Sequence, residues 1–124
     1  IAAIGYCMGG RTACLSAILE PLACAISYYG GGIAPNQFNP GFMDRLKNLQ
    51  APVLFLWAGK DHFIPAEAVQ SIDAELRAHN KSFISTTFND ADHGFFCDQR
   101  GSHHSASAAV AWPMTLAYLA DKTK

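Results

Sequence analysis

Three loops of the sequence carry a thiol, a carboxylate and an imidazole that could together catalyse acyl transfer. Cys7 stands between Gly5 and Gly9, Asp61 follows an apolar run, and His93 lies in a polar loop further along. A cysteine beside a histidine can act as a nucleophile, because the imidazole removes the thiol proton and later activates water. An aspartate at the other ring nitrogen would hold the useful tautomer and stabilise the imidazole cation. Cys7, Asp61 and His93 are therefore the candidate catalytic residues.

The glycines around Cys7 have the spacing of a nucleophile elbow, a sharp strand-to-helix turn with the nucleophile at its apex. Side chains at Gly5 and Gly9 are expected to clash, because such a turn brings neighbouring backbone close. The helix that begins behind Cys7 should favour its thiolate, since partial positive charge collects at a helix N-terminus. The backbone amide of Met8 is expected to point toward an oxyanion. The alternative is a small buried cysteine at an ordinary glycine-rich turn.

Alternating strands and helices are expected to position these loops. The predicted strands cover residues 1–4, 23–29, 53–57 and 82–88. The predicted helices cover residues 8–20, 42–49, 66–79 and 105–121. The first strand is apolar on both faces, the last alternates as an edge strand would, and Pro113 should kink or split the last helix. This order indicates an α/β domain with a parallel sheet, whose functional loops lie beyond the carboxyl ends of the strands.

The composition favours a largely buried chain. Its 124 residues make at most one domain, and with 50% apolar and only 15% charged residues it is not a disordered linker. A formal charge of −1 is too balanced for a nucleic-acid or polybasic membrane surface, so neither partner is expected. No apolar run reaches the roughly 18 residues of a membrane span. Four cysteines without a closely spaced pair indicate a reducing compartment, and we expect a cytoplasmic protein.

The chain order of nucleophile, acid and histidine is that of α/β-hydrolases, and the sequence resembles the dienelactone hydrolase family. The matching stretches are GYCMGG at 5–10, YYGGG at 28–32, PVL at 52–54, GKDHFIP at 59–65, HGFF at 93–96, AW at 111–112 and TLA at 115–117. The resemblance implies the α/β-hydrolase fold and a triad of Cys7, Asp61 and His93. It also implies hydrolysis of a small-molecule ester or lactone through an acyl-thioester on Cys7, with no cofactor and no metal.

One departure from the family concerns the substrate. Family members specific for dienelactone bind the substrate carboxylate with arginines, one of them four residues after the catalytic histidine. That position is Cys97 in this sequence, and the nearest arginine is Arg100. The sequence therefore predicts a broader esterase or lactonase.

A second departure concerns length. The family's domain is about twice as long as this chain, so residues 1–124 are expected to be its C-terminal portion, with the first strand left as an unpaired apolar edge. The missing N-terminal half or a second copy of the chain would cover that edge. An incomplete, inactive fragment that associates through the edge is an alternative, as is a thioesterase or acyltransferase that uses the same triad.

Further alternatives concern individual residues. Asp90 and Asp92 compete with Asp61 as the partner of His93, because both lie close to it in sequence. A zinc site would use five side chains whose types suit the metal, although their spacing matches no familiar structural pattern. These side chains are His93, Cys97, Asp98, His103 and His104.

Substrate contacts are predicted from residues that follow strand ends or adjoin His93. Tyr29, Phe63 and Phe95 could line the pocket, but aromatic residues under loops also serve as packing. Arg11 could meet an anionic group or a neighbouring carboxylate.

Overall fold

A computed structural model describes all residues from Ile1 to Lys124 as a parallel sheet flanked by helices. The strands are β1 (Ala2–Tyr6), β2 (Cys24–Tyr28), β3 (Val53–Ala58) and β4 (Phe83–Phe88), paired in that order. The α-helices are α1 (Met8–Leu19), α2 (Ala66–Ala78) and α3 (Ser105–Lys122), with a 3-10 helix at Met43–Asn48. All three strand pairs are parallel, which confirms the predicted α/β class.

Helices cover both faces of the sheet. Successive residues of a strand point to opposite faces. Ser27 of β2 packs against Gly10 of α1, whereas the Tyr28 hydroxyl is 2.7 Å from the hydroxyl of Thr115 on α3. The first and last α-helices therefore lie on opposite faces. Between them β2 and β3 are completely buried, and they form the centre of the core.

The two outer strands differ from the central pair because each lacks a neighbour on one side. β4 has half-buried and exposed positions, as predicted for an edge strand. β1 was expected to be buried on both faces, but Ile4 is 43% exposed and Tyr6 is 37% exposed. No strand pairs with the outer edge of β1 in this chain, so its backbone and apolar side chains face solvent.

The last helix runs unbroken from Ser105 to Lys122 although Pro113 lies inside it. Of the two predicted effects of Pro113, the split is therefore wrong, and the kink stays a prediction. Proline removes the helix hydrogen bond to the carbonyl four residues earlier, here that of Ala109. Ala109 and Pro113 are both exposed, so water can satisfy this carbonyl and the helix continues. None of the helices is long and apolar enough to cross a membrane.

Candidate active site

Cys7 occupies the turn between β1 and α1. Its backbone has φ 57° and ψ −121°, a conformation that residues other than glycine rarely adopt. Its N–H donates to the Tyr28 carbonyl at 3.0 Å, and its carbonyl accepts from the Gly10 N–H at 2.9 Å. These bonds fix a strained apex where the carboxyl end of the strand meets the N-terminus of the helix, as in a nucleophile elbow.

The glycines of this turn have unequal roles. A Cβ on Gly5 would overlap the carbonyl group of Gly9, so no side chain fits at Gly5. A Cβ on Gly9 would meet nothing within 4 Å, and the clash expected at that position is wrong. The second crowded position is Gly10, where a Cβ would lie 2.6 Å from the Tyr28 carbonyl oxygen. The backbones of α1 and β2 therefore also approach each other closely, in addition to the close contact within the turn.

Asp61 and His93 meet although 32 residues separate them in the chain. His93 Nδ1 is 2.6 Å from Asp61 Oδ2, and the Asp61 side chain is completely buried. The other carboxylate oxygen accepts the Phe63 N–H at 2.8 Å. Because the carboxylate engages Nδ1, we assign the proton to that nitrogen, and Nε2 is left to accept a proton.

The rival carboxylates take other places. Asp92 Oδ1 accepts the backbone N–H of His93 at 2.7 Å, so Asp92 shapes the loop and does not contact the ring. Asp90 is exposed. Of the three carboxylates, Asp61 is the one that bonds the imidazole.

Aromatic side chains surround the imidazole of His93. The ring centroid of Tyr29 lies 5.1 Å from that of His93, and the Phe63 centroid lies 5.4 Å from it. Phe63 is exposed and lines the cleft beside Cys7, where it could touch substrate. Phe95 is completely buried and packs against Tyr29 at 5.3 Å. Phe95 is therefore a packing residue, and its predicted place in the substrate pocket is wrong.

Arg100 is the residue of this site that the sequence argument missed. Its Nη1 donates to Cys7 Sγ at 3.8 Å. The guanidinium lies over Gly94, where the lack of a side chain and a φ of 80° leave room for it. Only its place in the same loop as His93 hinted at this contact. Arg11, by contrast, bonds the Gly32 carbonyl at 3.3 Å and the Asn39 side chain at 3.4 Å, so it anchors a neighbouring loop.

Burial raises the pKa of the Cys7 thiol above its ordinary value. The positive charge and hydrogen bond of Arg100 act in the opposite direction and lower that pKa, but desolvation is the larger effect. The net shift of this pKa is upward, and the expected effect of the helix N-terminus on the thiolate stays a prediction. Cys7 is therefore a neutral thiol at neutral pH, and it needs a base to become a nucleophile.

Replacing Arg100 by Gln is expected to slow the alkylation of Cys7 by iodoacetamide about threefold at pH 8, the effect of losing one exposed charge pair. Without the guanidinium the pKa of the thiol rises further, so less thiolate is present. Arg45→Gln, at an exposed position on the 3-10 helix, is the matched control and should leave the rate unchanged. Equal rates for all three proteins would show that Arg100 does not act on the thiol.

Cys7 and His93 line one cleft of about 430 Å³, together with Phe63 and Arg100. A volume of this size is within the range for small-molecule sites. The five side chains of the alternative zinc site do not converge, since no three His, Cys, Asp or Glu side chains of the chain are grouped to hold a metal ion. The arrangement instead suits attack by a thiol on a small molecule, with a histidine to move the proton.

Comparison with known proteins relates the whole chain to a family. Residues 1–122 match the profile of the Dienelactone hydrolase family. A Salmonella typhi protein described as "Putative carboxymethylenebutenolidase" is 36% identical over 119 residues, which are 94% of this chain and 44% of that protein. A Yersinia pestis protein of the same description is 38% identical over 119 residues, 94% of this chain and 45% of that protein. The chain thus spans less than half the length of these relatives.

A solved structure shows the same partial coverage of a longer protein. A structure described as "Putative Dienelactone Hydrolase" from Klebsiella pneumoniae superposes with a TM-score of 0.87 at 36% sequence identity. The superposition covers 94% of this chain and 50% of that one. The sheet and its helices therefore correspond to one half of a larger α/β structure in that protein.

Proposed function

Because the chain belongs to the dienelactone hydrolase family, we propose that it carries the catalytic residues of a hydrolase that cleaves carboxylic esters or lactones. Cys7 is the nucleophile, His93 the general base and Asp61 the residue that orients the imidazole. The observation that carries this proposal is the 2.6 Å hydrogen bond between His93 Nδ1 and the buried carboxylate of Asp61. His93 also lines the same cleft as Cys7.

The first half of the reaction forms a thioester. His93 Nε2 takes the thiol proton as Cys7 Sγ attacks the carbonyl carbon of the substrate, and the carbonyl oxygen becomes an oxyanion. The Met8 N–H lies in the first turn of α1, where backbone donors have no acceptor within the helix, and it stabilises that oxyanion. The C–O bond then breaks, and the leaving alkoxide receives the proton from His93. Asp61 stabilises the imidazole cation throughout.

The second half releases the acid. His93 removes a proton from water, which attacks the thioester carbonyl, and the C–S bond breaks with return of a proton to Cys7. Because burial raises the pKa of Cys7, the resting thiol is protonated and transfer to His93 accompanies the attack. Cys97 occupies the position where dienelactone-specific members of the family have an arginine, and Phe63 adds an apolar wall to the cleft. The substrates are therefore a broader class of esters and lactones than dienelactone alone.

We also propose that residues 1–124 form the C-terminal portion of one α/β-hydrolase domain. Support comes from the coverage of the relatives and from the open edge of β1, which exposes Ile4 and Tyr6. An adjacent strand would pair with the free backbone groups of β1 and cover these side chains. The preceding segment of the gene product supplies that strand, and a second copy of this chain is the alternative occupant.

The test traps the acyl-enzyme. The full gene product that contains this sequence is mixed with p-nitrophenyl acetate, quenched in acid and weighed by intact mass spectrometry. We expect one acetyl group, located on Cys7 by peptide mapping, and none in the Cys7→Ala variant. The isolated 124 residues, run in parallel, should form far less adduct if the preceding segment completes the site.

Acetylation of another residue, or equal ester turnover by the Cys7→Ala variant, would refute the proposed nucleophile. Cys24→Ala is the matched control, because Cys24 is buried near the opposite end of β2 and should not affect the adduct. Equal labelling of the isolated chain and the full product would contradict the proposal that another segment completes the site.

A further inference from the structure

A second cysteine lies beside the candidate nucleophile. Cys7 is half-buried and Cys97 is exposed, and both are free thiols. They line one cavity of about 380 Å³ at the carboxyl end of β1. The other residues of that cavity are Tyr6, Tyr29, Phe96 and Arg100. The proposed mechanism uses only one of the two thiols.

The loop that carries Cys97 is held against the sulfur of Cys7. The Cys97 N–H donates to the Gly94 carbonyl at 3.1 Å, and the Arg100 N–H donates to the Cys97 carbonyl at 3.2 Å. Cys97 and Arg100 are thus the two ends of one tight turn. Because Arg100 Nη1 donates to Cys7 Sγ at 3.8 Å, this turn is docked at the nucleophile. The positive charge of the guanidinium also attracts the thiolate of Cys7, the form in which that sulfur reacts.

The other two cysteines have no such access. Cys14 and Cys24 are completely buried in the core. Burial raises the pKa of Cys14 to about 12, so it remains an unreactive thiol. Any thiol oxidation of this chain in its folded state therefore falls on Cys7 and Cys97, which share one cavity.

We propose that Cys7 and Cys97 form a reversible redox pair, in which Cys97 resolves Cys7 after oxidation by a peroxide. His93 takes the thiol proton of Cys7 as the sulfur attacks one peroxide oxygen; an S–O bond forms, the O–O bond breaks, and the sulfur is oxidised to sulfenic acid, while the leaving oxygen receives the proton and the peroxide is reduced to water or an alcohol. The sulfur of Cys97 then attacks the sulfenic sulfur, an S–S bond forms and the S–O bond breaks, and the proton of the Cys97 thiol leaves on the released oxygen as water.

The disulfide would switch the hydrolase off, because its formation consumes the nucleophilic sulfur. A small dithiol returns both residues to thiols, so the loss is reversible. Without Cys97, the sulfenic acid of Cys7 would remain exposed to peroxide and proceed to sulfinic acid, which dithiols do not reduce. This inference shares with the proposed function the premise that Cys7 is reactive.

The experiment uses the full gene product, reduced, desalted and treated with a small excess of hydrogen peroxide. Remaining thiols are blocked with N-ethylmaleimide, and the peptides are mapped without reduction. We expect a crosslinked peptide that joins Cys7 to Cys97, lighter by two hydrogens than the sum of its parts. Esterase activity should fall with its formation and return with dithiothreitol.

Cys97→Ser should lose the crosslink, accumulate sulfinic acid on Cys7 and recover little of its own reduced activity on addition of dithiothreitol. Cys24→Ala is the matched control and should form the crosslink normally. Sulfinic acid on Cys7 without a crosslink in the unsubstituted protein, or a crosslink between the Cys97 residues of two molecules, would overturn the proposal. The acyl adduct of the reduced protein is scored separately, so a crosslink without an adduct would refute the hydrolase and leave the redox pair standing.

Discussion

Asp61→Asn is expected to lower kcat/KM for ester hydrolysis by about 10⁴-fold, the loss found when the acid of such a triad becomes an amide. Asp61 Oδ2 accepts from His93 Nδ1 at 2.6 Å within a completely buried carboxylate. The Asn amide would present an N–H donor to that nitrogen and so favour the tautomer with the proton on Nε2. His93 could then no longer take the proton of Cys7. The measurement is steady-state hydrolysis of p-nitrophenyl acetate by the full gene product.

Asp90→Asn and Asp92→Asn are the matched controls for this prediction. Asp90 is exposed, and an Asn at position 92 keeps the oxygen that accepts the His93 N–H. Each control should change kcat/KM by less than about threefold, as substitutions outside the reacting group usually do. A loss at Asp92 comparable to that at Asp61 would refute the assignment. Thermal unfolding of all variants separates lost catalysis from lost folding.

Gly5→Ala is expected to lower the free energy of unfolding by about 3 kcal/mol or to prevent folding. The added methyl group would overlap the carbonyl group of Gly9, which is backbone and cannot rotate away. Relief requires α1 to move off the sheet, and this would also displace Cys7 at the start of that helix. Urea unfolding followed by circular dichroism measures the change, and ester turnover reports the displaced thiol.

Gly9→Ala is the matched control, only four residues along the same turn. A Cβ there meets nothing within 4 Å, and alanine is a better helix former than glycine. This variant should be unchanged or more stable, by up to about 1 kcal/mol. Equal destabilisation of the two variants would show that the overlap with the Gly9 carbonyl is not the reason why residue 5 must be glycine.

Local sequence patterns were enough to predict most of the fold. The predicted helix at 66–79 is observed at Ala66–Ala78, and the strand predicted at 53–57 is observed at Val53–Ala58. Apolar periodicity, glycines and prolines report local conformation, so they place elements to within a residue or two. They did not exclude a split at Pro113, because exposure of the freed carbonyl depends on which side of the helix faces solvent.

The meeting of residues from distant loops needed the tertiary structure. Chain order favoured Asp61 as the partner of His93, but it did not exclude the adjacent Asp92. In the structure Asp92 accepts the backbone N–H of His93, and Asp61 bonds the ring. Arg100 reaches Cys7 across 93 residues of sequence, a contact that no spacing rule predicts. The cytoplasmic location inferred from the cysteines stays a prediction.

By itself, the sequence determined the α/β architecture, the strained turn at Cys7 and the family, because each depends on short patterns whose physical cause is local. Only the tertiary structure decided that Gly10 rather than Gly9 is crowded, that Phe95 is packing, and that burial outweighs Arg100 in the pKa of Cys7. Those outcomes depend on the distances between helices and strands and on how far each side chain is exposed to solvent. Long-range packing fixes both quantities, and residue types and spacing do not specify them.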